Sequence, residues 1–206
     1  MKGVSEPKGF TLIEAIVVIS VLAILAGTLI PLAIKNIEDS KISAATEDIR
    51  TLASSVTNFI SNTGRYPMRN ASSSDQLLAL YSGAWANLPQ QSLPSGTFTT
   101  PGGGWSDGTW SDSIANHLVS NGGSRYPTWD PSIRAGWHGP YLAKNGLDPW
   151  GNSYLIGVIG FWYKTTNPAF DKVWIVSAGP DRTVQTSNQS STLTGDDVGL
   201  LIYIHD

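Results

Sequence analysis

Glu14 is the only ionisable side chain between Phe10 and Ile34, a stretch reading FTLIEAIVVISVLAILAGTLIPLAI. A carboxylate inside an apolar span costs about 2.5 kcal/mol or more and calls for a partner. Cleavage between Gly9 and Phe10 would create an α-ammonium four residues from Glu14. The carboxylate would then neutralise an ammonium, its own or that of a neighbouring subunit. Such a pair fixes register, because a mismatched neighbour leaves a bare charge in a low dielectric. Near the other end, Asp196 and Asp197 follow Gly195. Such a pair either offers oxygens to a hard cation or only solvates a loop. His117, His138 and His205 have no metal-ligand spacing and read as surface or turn residues. Pro101-Gly102-Gly103-Gly104 lacks the Lys-Ser/Thr of a phosphate cradle. No nucleophile elbow, paired-carboxylate arrangement or dinucleotide fingerprint appears. An enzyme is not expected.

The elements that must carry Glu14 follow from hydropathy. Phe10 to Ile30 is 21 residues, about 30 Å as a helix, which matches a bilayer core. Lys2 and Lys8 before it favour a cytoplasmic N-terminus with the rest translocated. A secretory signal peptide would have a shorter apolar core and an A-x-A site, which Ala23 and Ala26 do not make. A plain membrane anchor is the other bland alternative. Beyond Pro31, residues Ile34, Ile37, Ile42, Ala45, Ile49, Leu52, Val56 and Phe59 recur mostly at three- and four-residue steps. That spacing predicts an amphipathic helix laid on a core, stopped by Gly64 with Pro67 beyond. Charges at 35–50 on its outer face are solvated or pair between subunits.

The remainder predicts a small head. Asp75–Tyr81 and Ser111–Ser120 are candidate short helices, and 153–163, 172–177 and 200–204 are candidate strands. Asp148-Pro149-Trp150-Gly151 suits a type I turn with the Trp packed inward. The fold class is therefore α+β: a long N-terminal helix, half membrane and half amphipathic, on a small antiparallel sheet. Charged residues are 14% of 206, with 13 Lys and Arg against 16 Asp and Glu and no Cys. The usual share is about a quarter. Zero Cys excludes disulfides and thiolate metal sites, and the acidic balance argues against a nucleic-acid partner. Between Asn70 and Ser124 the only charges are Asp75, Asp107 and Asp112, while Trp85, Trp105 and Trp110 lie inside. Those aromatics either contact sugars or another subunit, or cover the sheet as a second small core. Asn70-Ala71-Ser72 and Asn188-Gln189-Ser190 fit the glycosylation pattern, read here as unused.

Lys8-Gly9-Phe10-Thr11-Leu12-Ile13-Glu14 resembles the class III signal of type IV pilins and pseudopilins. The resemblance implies a leader at 1–9, cleavage after Gly9 by a prepilin peptidase, N-methylation of Phe10, and subunit docking through Glu14. It places a helix-bending proline at Pro31. Gly64-Arg65-Tyr66-Pro67, Trp137 to Leu142 and Leu147 to Asn152 are similar to segments of the major pseudopilins of type II secretion systems. Ser177-Ala178-Gly179-Pro180-Asp181 with Gly195 to Gly199 is similar to that family's C-terminal calcium loop, implying ligands from Asp181, Asp196, Asp197 and the Ala178 carbonyl. The 182–194 spacer is longer than usual there. The implied organisation is 1–9 leader, 10–34 membrane and polymerisation helix, 35–64 amphipathic helix, 65–137 Ser/Gly/Trp-rich insertion, and 138–206 sheet with calcium loop. The implied function is a pseudopilus subunit for secretion across the envelope. A surface pilin for adhesion or motility and a glycan-binding module are the alternatives. The partners implied are copies of itself, prepilin peptidase, an inner-membrane assembly platform, and membrane lipid before assembly. The location implied is the inner membrane with the head in the periplasm, or an extracellular filament.

Overall fold

A computed structural model describes residues 9–91, 110–161, 172–187 and 190–204. The chain divides into two compact units, Met1–Ser40 and Lys41–Asp206. Helix α1 (Leu12–Thr63) runs through both. In the first unit its apolar side chains are open, from Leu12 at 77% to Ile37 at 59% exposed. This part is long and apolar enough to cross a membrane. The helix continues through Pro31, which lacks a helical N–H donor there.

In the second unit, α1 buries Ala45, Ile49, Leu52, Val56 and Phe59, the stripe expected from spacing. Ile34 and Ile37 on the same stripe stay exposed. Phe59 meets the edges of Tyr126 and Tyr141 at centroid distances of 4.8 and 5.5 Å. Gly64 ends the helix at φ +62°, and its N–H donates to the Ile60 carbonyl. Only a residue tolerant of the left-handed region fits that position cheaply.

The head carries seven strands among the described residues: β1 (Ala79–Tyr81), β2 (Gln90–Gln91), β3 (Ser111–Ser113), β4 (Leu155–Ile156), β5 (Lys172–Ser177), β6 (Thr183–Val184) and β7 (Val198–Ile204). The main sheet runs β3-β1-β4-β5-β7, and β2 pairs with β6 separately. The pairs β1–β4, β4–β5 and β5–β7 are antiparallel, as expected, but β1–β3 is parallel, so the sheet is mixed. β5 is buried along almost its whole length, which explains a continuous rather than alternating apolar run.

Several local expectations change. Asp75–Tyr81 is not a helix: Asp75 bridges Arg69, and 79–81 is strand β1. Leu80 and Ala79 are buried, so sheet pairing overrides a weak helical propensity. Ser111–Ser120 splits into β3 and one wide helical turn, Ala115–Val119, closed by Ser120 N–H to the Ala115 carbonyl. Beyond Ile156 the chain forms a short 3-10 turn, Val158–Phe161, rather than a longer strand. The turn signals Asn167-Pro168 lie outside the described residues, as do Trp105 and the glycines at 102–104. The 65–137 segment supplies β1 and β3 to the main sheet. The small second cluster is aliphatic, with Ala79, Leu155, Ala178 and Val184 at its centre. Trp137 instead lies against the principal core, its indole N–H donating to the His117 carbonyl at 3.0 Å.

Candidate functional site

Thr11 and Glu14 form a reciprocal cap at the start of α1. Thr11 N–H and Thr11 Oγ1–H donate to Glu14 Oε2 at 2.9 and 2.6 Å, and Glu14 N–H donates to Thr11 Oγ1 at 3.4 Å. This is the Thr-x-x-Glu capping box, in which side chains satisfy helix-end donors. The spacing Thr11 to Glu14 was the available signal, and the charge of Glu14 drew attention away from it. Gly9 and Phe10 precede the helix, with Phe10 83% exposed. The Gly9–Phe10 bond thus lies in exposed, non-helical chain, while 1–8 lie outside the described residues.

A family model described as the prokaryotic N-terminal methylation motif matches residues 7–30. This N-terminus is type IV pilin-like. The match supports a structural subunit that is processed by a prepilin peptidase and built into a pilus-like filament. It takes in Gly9, Phe10 and Glu14 and stops just short of Pro31. No curated protein and no solved structure matches the chain. The pilin-like assignment therefore rests on the N-terminal motif, and the long helix on a small sheet agrees with it.

The C-terminal loop holds the expected calcium residues. Asp181 Oδ1 accepts from Thr183 N–H at 2.7 Å, and its Oδ2 accepts from Gln185 Nε2 at 2.6 Å. Asp196 Oδ2 accepts from Asp181 N–H at 2.9 Å. Asp197 Oδ2 accepts from Gln185 and Thr186 N–H at 2.9 and 2.6 Å. Ala178 is fully buried, and Gly179, at φ +65°, lets the Asp196 carbonyl approach where a Cβ would collide. The oxygens suit a hard cation in kind. Among the described residues, however, no three His, Cys, Asp or Glu side chains gather as a metal site. The carboxylates are turned to N–H donors. Two buried oxygens in this loop, Asp197 Oδ1 and Gln185 Oε1, lack a hydrogen-bond partner. Burial pushes the Asp197 carboxyl up, against the bonds from Thr186 and Gln185. Gln185 was missed in the sequence because an amide carries no charge.

His117 corrects an expectation: it is completely buried, not a surface or turn residue. Its Nδ1 lies 2.7 Å from Tyr126 Oη and its Nε2 3.3 Å from Asp112 Oδ2. Asp112 Oδ2 also pairs with Arg125 Nη2 at 2.7 Å, and Asp112 Oδ1 accepts from Asn116 Nδ2 at 2.7 Å. A neutral ring accepts the Tyr126 hydroxyl at Nδ1, while Nε2 lies near Asp112 without forming a hydrogen bond. The cluster is a fastening between β3 and the 115–126 segment. Arg69 and Asp75 pair similarly at 3.2 Å. Asn70, in a glycosylation-like triplet, has its amide committed: Nδ2 donates to Gln76 Oε1, and Oδ1 accepts from Ser72 and Ser74 N–H.

Proposed function

We propose that the chain is the subunit of a filament that works in protein secretion across the cell envelope. The observation that carries the filament part is the methylation motif at 7–30 on a helix whose apolar side chains over that stretch are largely exposed. An uncovered apolar helix of this length needs lipid or other helices around it. Lipid would serve the subunit before assembly, and neighbouring helices within the filament. Removal of the leader would place a positive terminus beside Glu14, which is already hydrogen-bonded to Thr11 at that end of the helix. The secretory role draws on the resemblance of Trp137–Leu142 and Leu147–Asn152 to pseudopilin segments. A surface pilin for adhesion or motility is the second reading, favoured if long fibres project from cells.

Mass spectrometry of assembled filaments tests the core of this reading. Loss of residues 1–9 and one added methyl on Phe10 are expected. An intact leader in assembled material overturns it. Glu14→Ala should leave the chain in the membrane while lowering filament yield.

We further propose that Ca²⁺ binds the C-terminal loop. Asp181, Asp196, Asp197 and the Ala178 carbonyl would hold it, and Asp197 Oδ1 and Gln185 Oε1 are the unsatisfied oxygens that support the idea. A bound cation would add stability by mass action. The measurement is the melting temperature with chelator and with added calcium.

A further inference from the structure

Residues 128–137 form a tightly tied tip on the head. Trp129 N–H donates to the Trp137 carbonyl, Trp137 N–H to the Pro127 carbonyl, and Asp130 N–H to the Ala135 carbonyl, at 3.1, 2.7 and 2.9 Å. Asp130 Oδ1 accepts from both Ser132 N–H and Ser132 Oγ at 2.8 and 2.6 Å. Gly136 N–H fastens the tip to the Asn62 carbonyl near the end of α1. Between these ties Ile133 is 71% exposed, well above any other large apolar side chain described in the head. Arg134 beside it is exposed, at φ +51°, and makes no ion pair among the described residues. The tip is thus an ordered display of one aliphatic and one cationic side chain, whose ordering cost is met before any contact is made.

A cleft of about 310 Å³ lies elsewhere on the same head, with Leu52, Leu142 and Leu147 supplying apolar lining and Asp48, Ser82 and Tyr154 polar groups. Asp48 is exposed, accepts from Tyr154 Oη at 2.8 Å, and has no cationic partner within salt-bridge distance among the described residues. Lys144 also lines the cleft without pairing to Asp48. An occupant that offers an aliphatic side chain beside a cation would fill the apolar lining and meet the carboxylate.

We propose that the 128–137 tip of one head docks into this cleft on a second copy, Ile133 against Leu52, Leu142 and Leu147 and Arg134 against Asp48. This rests on the filament reading, which brings identical heads together at high effective concentration. Charge complementarity selects the occupant: the tip offers a cation without a partner, and the cleft an anion without one. Tip and cleft are different patches, so the contact is heterologous and propagates instead of closing into a two-fold dimer. The tip is anchored at Asn62 and the cleft sits at Asp48–Leu52, about 15–20 Å away along the helix. Neighbouring heads are therefore joined at different levels, as stacking along a fibre requires.

The chain has no cysteine, so an introduced pair reports cleanly. The full chain carrying Ile133→Cys and Leu147→Cys is assembled in cells and mildly oxidised. A ladder of disulfide-linked dimers, trimers and larger species is expected. A control pair, Ile133→Cys with the exposed Leu193→Cys, should give none. Filaments that form but stay monomeric on the gel, or a control ladder of equal strength, overturn the contact and leave the filament reading intact. A wild-type chain that makes no filament overturns both. Charge exchange supplies a second arm, and Asp48→Asn, which keeps an acceptor for the Tyr154 hydroxyl but removes the charge, controls for the lost hydrogen bond. Asp48→Arg and Arg134→Asp should each cut filament yield about five- to tenfold, and the double exchange should restore it. Additive losses overturn the pairing.

Discussion

At the scale of residues, Asp112 and His117 make the head acid-sensitive. Burial opposes ionisation of Asp112, but the nearby His117 ring and the hydrogen bond from Asn116 outweigh it and hold the carboxyl down to about 2. Burial keeps the His117 imidazole below its ordinary range, against the pull of Asp112. Both folded pKa values lie below the unfolded ones, so the unfolded chain takes up protons first as pH falls. The stability from His117 is present above about pH 6.5 and is lost below it, at up to about 1.4 kcal/mol per pH unit. Asp112 adds a further loss below about pH 4, as its pH falls toward 2. Denaturant unfolding from pH 7.5 to 5 should show this slope, and His117→Gln should flatten it. An unchanged slope would remove His117 as its source. The sequence held only a faint trace of this cluster. Asp112 lies inside a charge-poor stretch and Arg125 just past its end, but their pairing is not marked by any spacing. Nor does spacing reveal that Tyr126 packs edge-on against the ring, centroids 5.8 Å apart.

At the scale of elements, the 148–151 turn is the joint between the loop region and the sheet. The Gly151 N–H closes it on the Asp148 carbonyl at 2.9 Å, and Gly151 sits at φ +89°. Asp148 Oδ1 accepts from Trp150 and Asn152 N–H, and Oδ2 from Ser177 Oγ on β5, at 3.0, 2.7 and 2.7 Å. Trp150 is then held in the core at 7% exposure. Asp148→Ala strands three donors, two of them on the turn's backbone, and should cost about 3 kcal/mol. That corresponds to a fall in melting temperature of about 6–12 °C, read by calorimetry, with Asp148→Asn falling less because it keeps a carbonyl acceptor. The turn was legible because Asp, Pro and Gly each have a local backbone reason for their place. β5 and β7 were legible as β-branched runs. β1 and β3 were not, because each is three residues long and is defined by a partner far away in sequence.

At the scale of the whole molecule, the two units answer to different solvents. Exposed apolar side chains crowd the first, whereas the second has a closed core built from α1 residues 45–59 and the sheet. Residues 41–206 should therefore fold alone as a soluble head. Its melting temperature is expected to rise with millimolar calcium and fall with chelator; a midpoint indifferent to both would end the calcium proposal. The charge deficit also takes on a definite form. The acids Asp75 and Asp112 inside the 70–124 segment are held by Arg69 and Arg125, which flank it on either side.

The parallel pairing of β1 with β3 carries one more consequence. Parallel neighbours cannot be joined by a tight turn and need a crossover of about a dozen residues or more. The link here spans 82–110 and carries the 85–87 turn and β2, which pairs with β6. Topology thus sets a minimum length for this link. A link cut below that length could not carry β3 to its place beside β1, and Asp112 would lose its hold on Arg125.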